Sequence, residues 1–223
     1  MMRIAILISG SGSNMISLCN SMLSEKFAIP VLVLSDRKAV KGLSAARELG
    51  IKTSCIEYSS FYDDHGGFEE SLTKELLLAK PDLICLAGFL RILSKSFINN
   101  FPKKIINIHP SLLPKYKGLN THSRALLSGD RVAGCTVHEV TPELDSGPIL
   151  GQVSVPVLSN ETAETLSKKV CGGPAIRKKF TRNCAPKQEP RAKRRDGQAQ
   201  RRPQEKSHST RSSPAKHDFR VSV

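Results

Sequence analysis

The chain has 223 residues and a formal net charge of +14. Its length allows one large domain or one domain with an appendage, and its basic balance would ordinarily suggest a nucleic-acid partner. The charge is uneven, however, because residues 171–223 hold 15 of the 34 Lys and Arg but only 4 of the 20 Asp and Glu. Residues 1–170 are nearly neutral, so the composition gives no reason to expect that this part of the chain binds nucleic acid.

Short apolar runs alternate with helix-like stretches over the first 110 residues. The spacing predicts strands at 3–9, 29–36, 52–58, 82–89 and 104–110, and helices at 14–25, 42–50, 68–80 and 94–100. Nearly continuous apolar strands between helices are typical of a parallel sheet that is covered on both faces. The sequence therefore predicts an α/β fold with a mainly parallel sheet.

The pattern changes after residue 130. Two strands are predicted at 132–141 and 147–157, and the short connection between them suggests an antiparallel addition to the sheet. A helix follows at 161–170, with Ser159 or Asn160 as its N-cap. We expect one catalytic domain over 1–170 and a basic, disordered tail over 171–223, because the tail has too few apolar residues to offset the entropy of ordering.

The tail offers little for specific recognition of nucleic acid. Its only aromatic residues are Phe180 and Phe219, so it has few rings on which bases could stack. We expect at most non-specific, salt-dependent contact between this tail and phosphates.

The six cysteines form neither a CxxC pair nor a Cys/His spacing that would hold a metal. Cys55, Cys85 and Cys135 fall in strand-like runs, which predicts buried, reduced thiols in a cytoplasmic protein. The first ten residues are predicted as a strand rather than a signal peptide. No apolar run approaches the length that crosses a membrane, so we expect no membrane partner and no metal.

The segment "SGSGSN" (9–14) links the first predicted strand to the first helix. Gly10 and Gly12 allow close approach of the backbone, and free N–H groups at the helix start favour an anion such as phosphate. The third glycine of the dinucleotide pattern is absent, and a tight turn is the alternative. Asp36 stands where a ribose-binding acid would lie, although a capping role is at least as plausible.

Three polar residues are placed at the ends of predicted strands, and open α/β sheets bind ligands at the carboxyl ends of their strands. Asn107 can donate to a developing oxyanion, and His109 can exchange a proton near neutral pH. Asp145, in the loop "ELDSGP", can hydrogen-bond His109 and keep it charged. Each residue alone has an alternative role in a turn or loop, but the three together favour catalysis.

Other candidates are less decisive. The stretch "AGFLRIL" (87–93) forms an apolar slot with one cation, which suits a flat heterocycle with a carboxylate; alternatively, Arg91 forms a salt bridge. His122 faces either the phosphate pocket or solvent. His138 is compatible with a satisfied core histidine.

Four stretches together resemble the phosphoribosylglycinamide formyltransferase family, the folate-dependent formyl transferases of purine synthesis. They are "ISGSGSN" (8–14), "AGFLRILS" (87–94), "NIHPSLLPKYKGLNTH" (107–122) and "TVHEVTPELDSGPIL" (136–150). The resemblance runs from about residue 3 to residue 170. It implies the formyltransferase fold, a Rossmann-like half followed by a folate-binding half, and transfer of a formyl group from 10-formyltetrahydrofolate to glycinamide ribonucleotide, both small-molecule substrates.

The resemblance also implies roles for individual residues. Its catalytic positions fall on Asn107, His109 and Asp145, with Asn107 also contacting the folate. Its phosphate-binding positions are Gly12, Ser13 and Asn14, and its folate-binding positions are Leu90, Arg91, Ile92 and Leu93. His65 stands where many members carry a basic residue near the glutamate tail of the folate.

After Val170 the sequence departs from the family, which continues with a helix bearing a glutamate and a histidine. This abrupt change suggests a shift of reading frame in the gene, a hypothesis that translating the neighbouring frame tests. The alternatives to the implied function are a formyltetrahydrofolate hydrolase-like enzyme, a methionyl-tRNA formyltransferase-like enzyme and an inactive remnant.

Overall fold

A computed structural model describes residues 1–172 of the chain. The strands are Met2–Ile8 (β1), Ala28–Ser35 (β2), Thr53–Cys55 (β3), Leu83–Leu86 (β4), Ile105–His109 (β5), Val132–Glu139 (β6) and Ile149–Pro156 (β7). The helices are Ser13–Glu25 (α1), Lys41–Glu48 (α2), His65–Ala79 (α3), Lys95–Asn100 (α4), Thr121–Leu127 (α5) and Ala163–Gly172 (α6), with a 3₁₀ turn at Tyr58–Phe61.

The seven strands form one sheet in the order β3-β2-β1-β4-β5-β6-β7. The pairs from β3 to β5 are parallel, whereas β6 is antiparallel to both of its neighbours. The predicted α/β fold, with a mainly parallel sheet and an antiparallel addition, is therefore confirmed. Because the parallel strands end at one edge, the loops that follow β1, β4 and β5 lie near each other.

Helices cover both faces of the sheet, as alternation along β1 shows. Ile4, Ile6 and Ile8 are fully buried in one cluster with residues of α1 and α2. Ala5 and Leu7 are fully buried in a second cluster with residues of α3 and α4. A strand that is apolar on both sides reads as a continuous apolar run, which explains why the sequence predicted this part of the fold well.

The third strand is shorter than the predicted 52–58 and lies at the edge of the sheet. Cys55, its last residue, is exposed, so the prediction of a buried thiol is wrong at this position. Cys19, Cys85 and Cys135 are buried, and the described cysteines are all free of disulfides. A strand at the edge of the sheet has a neighbour on one side only, so more of its surface stays exposed. Its sequence does not show that it will lie at the edge.

Helix α6 starts later than predicted and is capped by a different residue. The Thr162 hydroxyl accepts the Thr165 N–H at 3.2 Å, so the predicted cap at Ser159 or Asn160 is wrong. The helix reaches Gly172, two residues past the predicted domain end, and the remaining predicted tail lies outside the described residues. Within residues 1–172, none of the helices is long and apolar enough to cross a membrane.

Candidate active site

A cavity of about 830 Å³ opens at the carboxyl edge of the parallel strands. Its lining comes from the loop after β4, the end of β5, the start of α5, the β6–β7 loop and α6. This volume lies within the range of roughly 300–1,000 Å³ that small-molecule sites occupy. The position matches the crevice in which open α/β sheets bind ligands.

Asn107, His109 and Asp145 lie together in the lining of this cavity. Asn107 and His109 are alternate residues of β5, while Asp145 comes from the loop between β6 and β7. The His109 Nδ1 atom lies 3.3 Å from Asp145 Oδ2, and the Asn107 amide donates to Asp145 Oδ1 at 3.4 Å. The structure thus brings together the three residues predicted as catalytic; their catalytic role stays a prediction.

Two oxygen acceptors flank the His109 ring. Its Nδ1 atom faces the Asp145 carboxylate, and its Nε2 atom lies 2.9 Å from the Tyr116 carbonyl oxygen. Carbonyl and carboxylate oxygens only accept hydrogen bonds, so the doubly protonated ring satisfies both contacts. His109 is 4% exposed, so these two contacts account for both of its ring nitrogens in a buried position.

The segment Leu90–Leu93 lines the cavity in full, and its role in folate binding stays a prediction. Leu90 and Ile92 expose their side chains, whereas Leu93 is buried. The Arg91 side chain forms a salt bridge with Asp36, with 2.6 Å between Nε and Oδ2. Of the two alternatives for Arg91, the structure therefore shows the salt bridge. Asp36 is outside the cavity lining, and its side chain serves this ion pair rather than a ribose or a helix cap.

The loop before α1 packs tightly against the start of α2. Gly12 has a φ of +73°, and a Cβ atom there would lie 2.7 Å from the Gly42 Cα atom, so only glycine fits. The first-turn N–H groups of α1 have no acceptor within the helix. Asn14 lines the cavity, whereas Gly12 and Ser13 are not among its lining residues. Phosphate binding by this loop stays a prediction.

Comparison with known proteins identifies the family. The formyl transferase family model matches residues 2–172. The chain belongs to the formyl transferase family.

The relatives of this chain include proteins of similar length and much longer ones. It is 41% identical over 170 residues to the phosphoribosylglycinamide formyltransferase of Escherichia coli (strain K12), covering 76% of this chain and 80% of that protein. It is 46% identical over 169 residues to the trifunctional purine biosynthetic protein adenosine-3 of Gallus gallus, covering 75% of this chain but only 17% of the relative. A crystal structure of glycinamide ribonucleotide transformylase 1 from Symbiobacterium toebii matches with a TM-score of 0.78 at 36% identity, covering 83% of this chain and 86% of that chain.

His138 is a fourth polar residue in the lining of this cavity, and sequence reasoning did not select it. It pairs directly with Asn107 across β5 and β6. Its Nδ1 atom lies 2.8 Å from the Glu139 carbonyl, so Nδ1 carries the proton and Nε2 can accept from the Asn107 amide at 3.3 Å. The antiparallel register of β5 and β6 is what places His138 beside Asn107. The alternation of side chains within a single strand does not reveal that register.

Several donors converge on Asp145. Burial alone would raise the pKa of its carboxyl, but its pairing with the His138 ring, the Gly118 N–H at 2.8 Å and the positive charge of His109 together lower it. Asp145 also has a φ of +46°, a left-handed conformation that Asp and Asn tolerate better than most residues. The carboxylate is therefore ionised and held in one orientation.

Two further histidines differ in position. His65 is outside the cavity lining; its Nε2 atom pairs with Glu69 Oε1 at 3.2 Å, and its ring contacts Tyr58. Its role toward the folate stays a prediction. His122 lines the main cavity and also a second one of about 450 Å³. Burial and the charge of His109 lower the pKa of His122, which favours its neutral form.

Proposed function

We propose that this chain transfers the formyl group of 10-formyltetrahydrofolate to the amine of glycinamide ribonucleotide, giving formylglycinamide ribonucleotide in purine biosynthesis. The names of its relatives support this activity, since one is a phosphoribosylglycinamide formyltransferase and another a trifunctional purine biosynthetic protein. The observation that carries the proposal is the cluster of Asn107, His109 and Asp145 in the lining of one large cavity.

The two small-molecule substrates fit different parts of that cavity. The backbone of Leu90–Leu93 offers amide donors and acceptors beside the exposed Leu90 and Ile92 side chains, which suits the flat pterin ring. Asn14, in the first turn of α1, suits the phosphate of glycinamide ribonucleotide, because unpaired N–H groups at a helix start attract anions. The amine and the formyl carbon then meet near His109.

The reaction forms a bond between the amine nitrogen and the formyl carbon, so the formyl oxygen gains negative charge. The charged His109 ring and the Asn107 amide stabilise that oxygen. In this structure both groups donate to protein acceptors, namely Tyr116 for His109, and Asp145 and His138 for Asn107. The formyl oxygen replaces one of these contacts, most readily the Asn107 ones, which are long at 3.3 and 3.4 Å.

Asp145 has two tasks in this mechanism. Its carboxylate keeps His109 protonated through the 3.3 Å contact with Nδ1. It also assists the transfer of a proton from the attacking amine to the folate nitrogen that leaves. The donors that lower its pKa keep Asp145 ionised at neutral pH and therefore ready for both tasks.

We also infer that the reaction takes place in the cytoplasm. None of the five described cysteines forms a disulfide, and Cys55 is exposed. Free, exposed thiols are the usual state of proteins in a reducing compartment.

The test supplies labelled formyl-tetrahydrofolate with glycinamide ribonucleotide, with methionyl-tRNA or with no added acceptor. We expect label in glycinamide ribonucleotide. Label released as formate without an acceptor would instead support a hydrolase-like enzyme, and label in methionyl-tRNA would support the tRNA-directed alternative. A folded chain that transfers to no acceptor would be an inactive remnant and would contradict the proposal.

A further inference from the structure

The loop Gly88–Ser94 lines the cavity with its residues up to Leu93 but belongs to no helix or strand. Its side chains alternate: Leu90 and Ile92 are 54% and 67% exposed, while Arg91 and Leu93 turn back into the protein. The backbone of a loop loses entropy when it is fixed in one position. Because this loop has no helix or sheet hydrogen bonds of its own, other groups must hold it in place.

Three buried polar side chains from three different elements anchor this loop. The Ser9 hydroxyl, after β1, accepts the Leu90 N–H at 2.9 Å. Asp36, after β2, holds the Arg91 guanidinium. Glu69, on α3, accepts the Ser94 N–H at 2.6 Å and also bonds the Ser94 hydroxyl. These anchors are 2%, 1% and 6% exposed, so they are unusual among polar residues in being almost wholly buried.

Of the three anchors, Asp36 lowers the stability of the fold the most when it is buried. Its side chain is fully buried, and its Oδ1 atom has no hydrogen-bond partner within the described part of the chain. Burying an ionised carboxylate with an unsatisfied oxygen lowers stability. The Arg91 guanidinium is fixed on its other side by Tyr58, whose ring centroid lies 3.9 Å from Cζ. Asp36 therefore binds the edge of the planar guanidinium, and Tyr58 packs against its face.

We propose that Asp36 is a positioning residue for the formyl-folate substrate. It acts through Arg91, whose clamped side chain fixes the backbone of Gly88–Ser94 against the cavity. This inference rests on the proposed function, because it takes that backbone as the seat of the pterin ring. The hydrogen bonds that hold Asn107, His109 and Asp145 in the described part of the chain run to other groups and do not involve Asp36.

The test measures direct binding of 10-formyltetrahydrofolate by calorimetry, followed by steady-state kinetics. Asp36→Asn keeps the size of the side chain but removes its charge. We expect the folate Kd and KM to rise about tenfold, the loss expected for a charge-assisted hydrogen bond. The KM for glycinamide ribonucleotide and kcat at saturating folate stay within about twofold, a split that general destabilisation would not give.

The matched control is Glu57→Gln, which removes the same charge from a surface ion pair with Lys38 close to the same strand end. This variant leaves the folate Kd unchanged, since exposed pairs contribute little. In a double-mutant cycle, Asp36→Asn adds no further loss to Arg91→Met, because Asp36 acts only through Arg91. If Asp36→Asn does not fold, Tyr58→Leu replaces it and raises the folate Kd by about threefold.

Each outcome separates this inference from the proposed function. If the unaltered chain binds formyl-folate and the Asp36→Asn variant binds it with the same affinity, the inference is overturned while the proposed function stands. Additive losses in the cycle also overturn it. An unaltered chain that binds no formyl-folate overturns both the proposed function and the inference.

Discussion

At the scale of single residues, the site depends on one carboxylate that collects several donors. Asp145 contacts His109, His138, Asn107 and the Gly118 N–H, and its backbone is in the left-handed region. A strained conformation held by this many partners is typical of functional positions. The same conformation makes Asn the suitable replacement, because Asn tolerates positive φ whereas Ala would add backbone strain.

His138 should act as a positioning residue for Asn107 and Asp145. His138→Gln removes the ring that accepts from the Asn107 amide, so we expect kcat to fall about tenfold with KM for both substrates within about threefold. Steady-state kinetics with each substrate varied checks this. A variant that changes KM alone would show that His138 contributes to binding and not to the orientation of the catalytic groups.

At the scale of elements, the sequence predicted the bounds of strands well where both faces of the strand are buried, and predicted bounds less well at the sheet edge and at a helix start. The strands β1 and β2 are apolar on both faces and fall within one residue of their predicted bounds. The edge strand β3 and the start of α6 were misjudged, because edges and caps depend on neighbours distant in sequence. His138 was not selected for the same reason: its meaning comes from its pairing with Asn107 across β5 and β6.

The loop before α1 offers a matched pair of glycine substitutions. Gly12→Ala places a Cβ atom 2.7 Å from the Gly42 Cα atom at a φ of +73°, whereas a Cβ atom at Gly10 meets nothing within 4 Å. We expect Gly12→Ala to lower the free energy of unfolding by about 1–3 kcal/mol, and Gly10→Ala by under about 1 kcal/mol.

Urea unfolding of both variants checks the difference. The kinetics add a second readout, since Gly12→Ala should also raise the KM for glycinamide ribonucleotide if the loop binds its phosphate. Equal losses of stability in the two variants would show that the close approach to α2 is not what requires glycine at residue 12.

At the scale of the described part of the molecule, topology brings together residues that are far apart in the sequence. The parallel strands deliver Asn107 and the Gly88–Ser94 loop to one edge, and the antiparallel strands β6 and β7 return Asp145 to that edge. The sequence predicted this grouping from strand ends alone. It did not predict the buried anchors Asp36 and Glu69, because their partners are in a loop whose path only the fold determines.

His122 makes the stability of the fold depend on pH near neutrality. Burial and the charge of His109 lower its pKa in the folded chain, so the unfolded chain takes up the proton first as pH falls. The stability that neutral His122 contributes is thus present above its ordinary pKa of 6.5 and is lost as pH falls through the folded value. Between pH 7.5 and 5.5, His122→Asn should lose less stability than the unaltered chain. Denaturant unfolding at both pH values measures this, and parallel losses would exclude His122 as the cause.

The central claim is that Asp145 organises a formyl transfer site, and one comparison tests it most directly. Formyl transfer from 10-formyltetrahydrofolate to glycinamide ribonucleotide is measured for the unaltered chain, for Asp145→Asn and for Asp82→Asn. Asp82 makes the matched control because its carboxylate accepts the Arg3 N–H at the opposite edge of the sheet. We expect Asp82→Asn to retain its rate within about twofold, and a folded Asp145→Asn to lose at least about a hundredfold. A folded Asp145→Asn variant that transfers formyl groups at the unaltered rate would contradict the account.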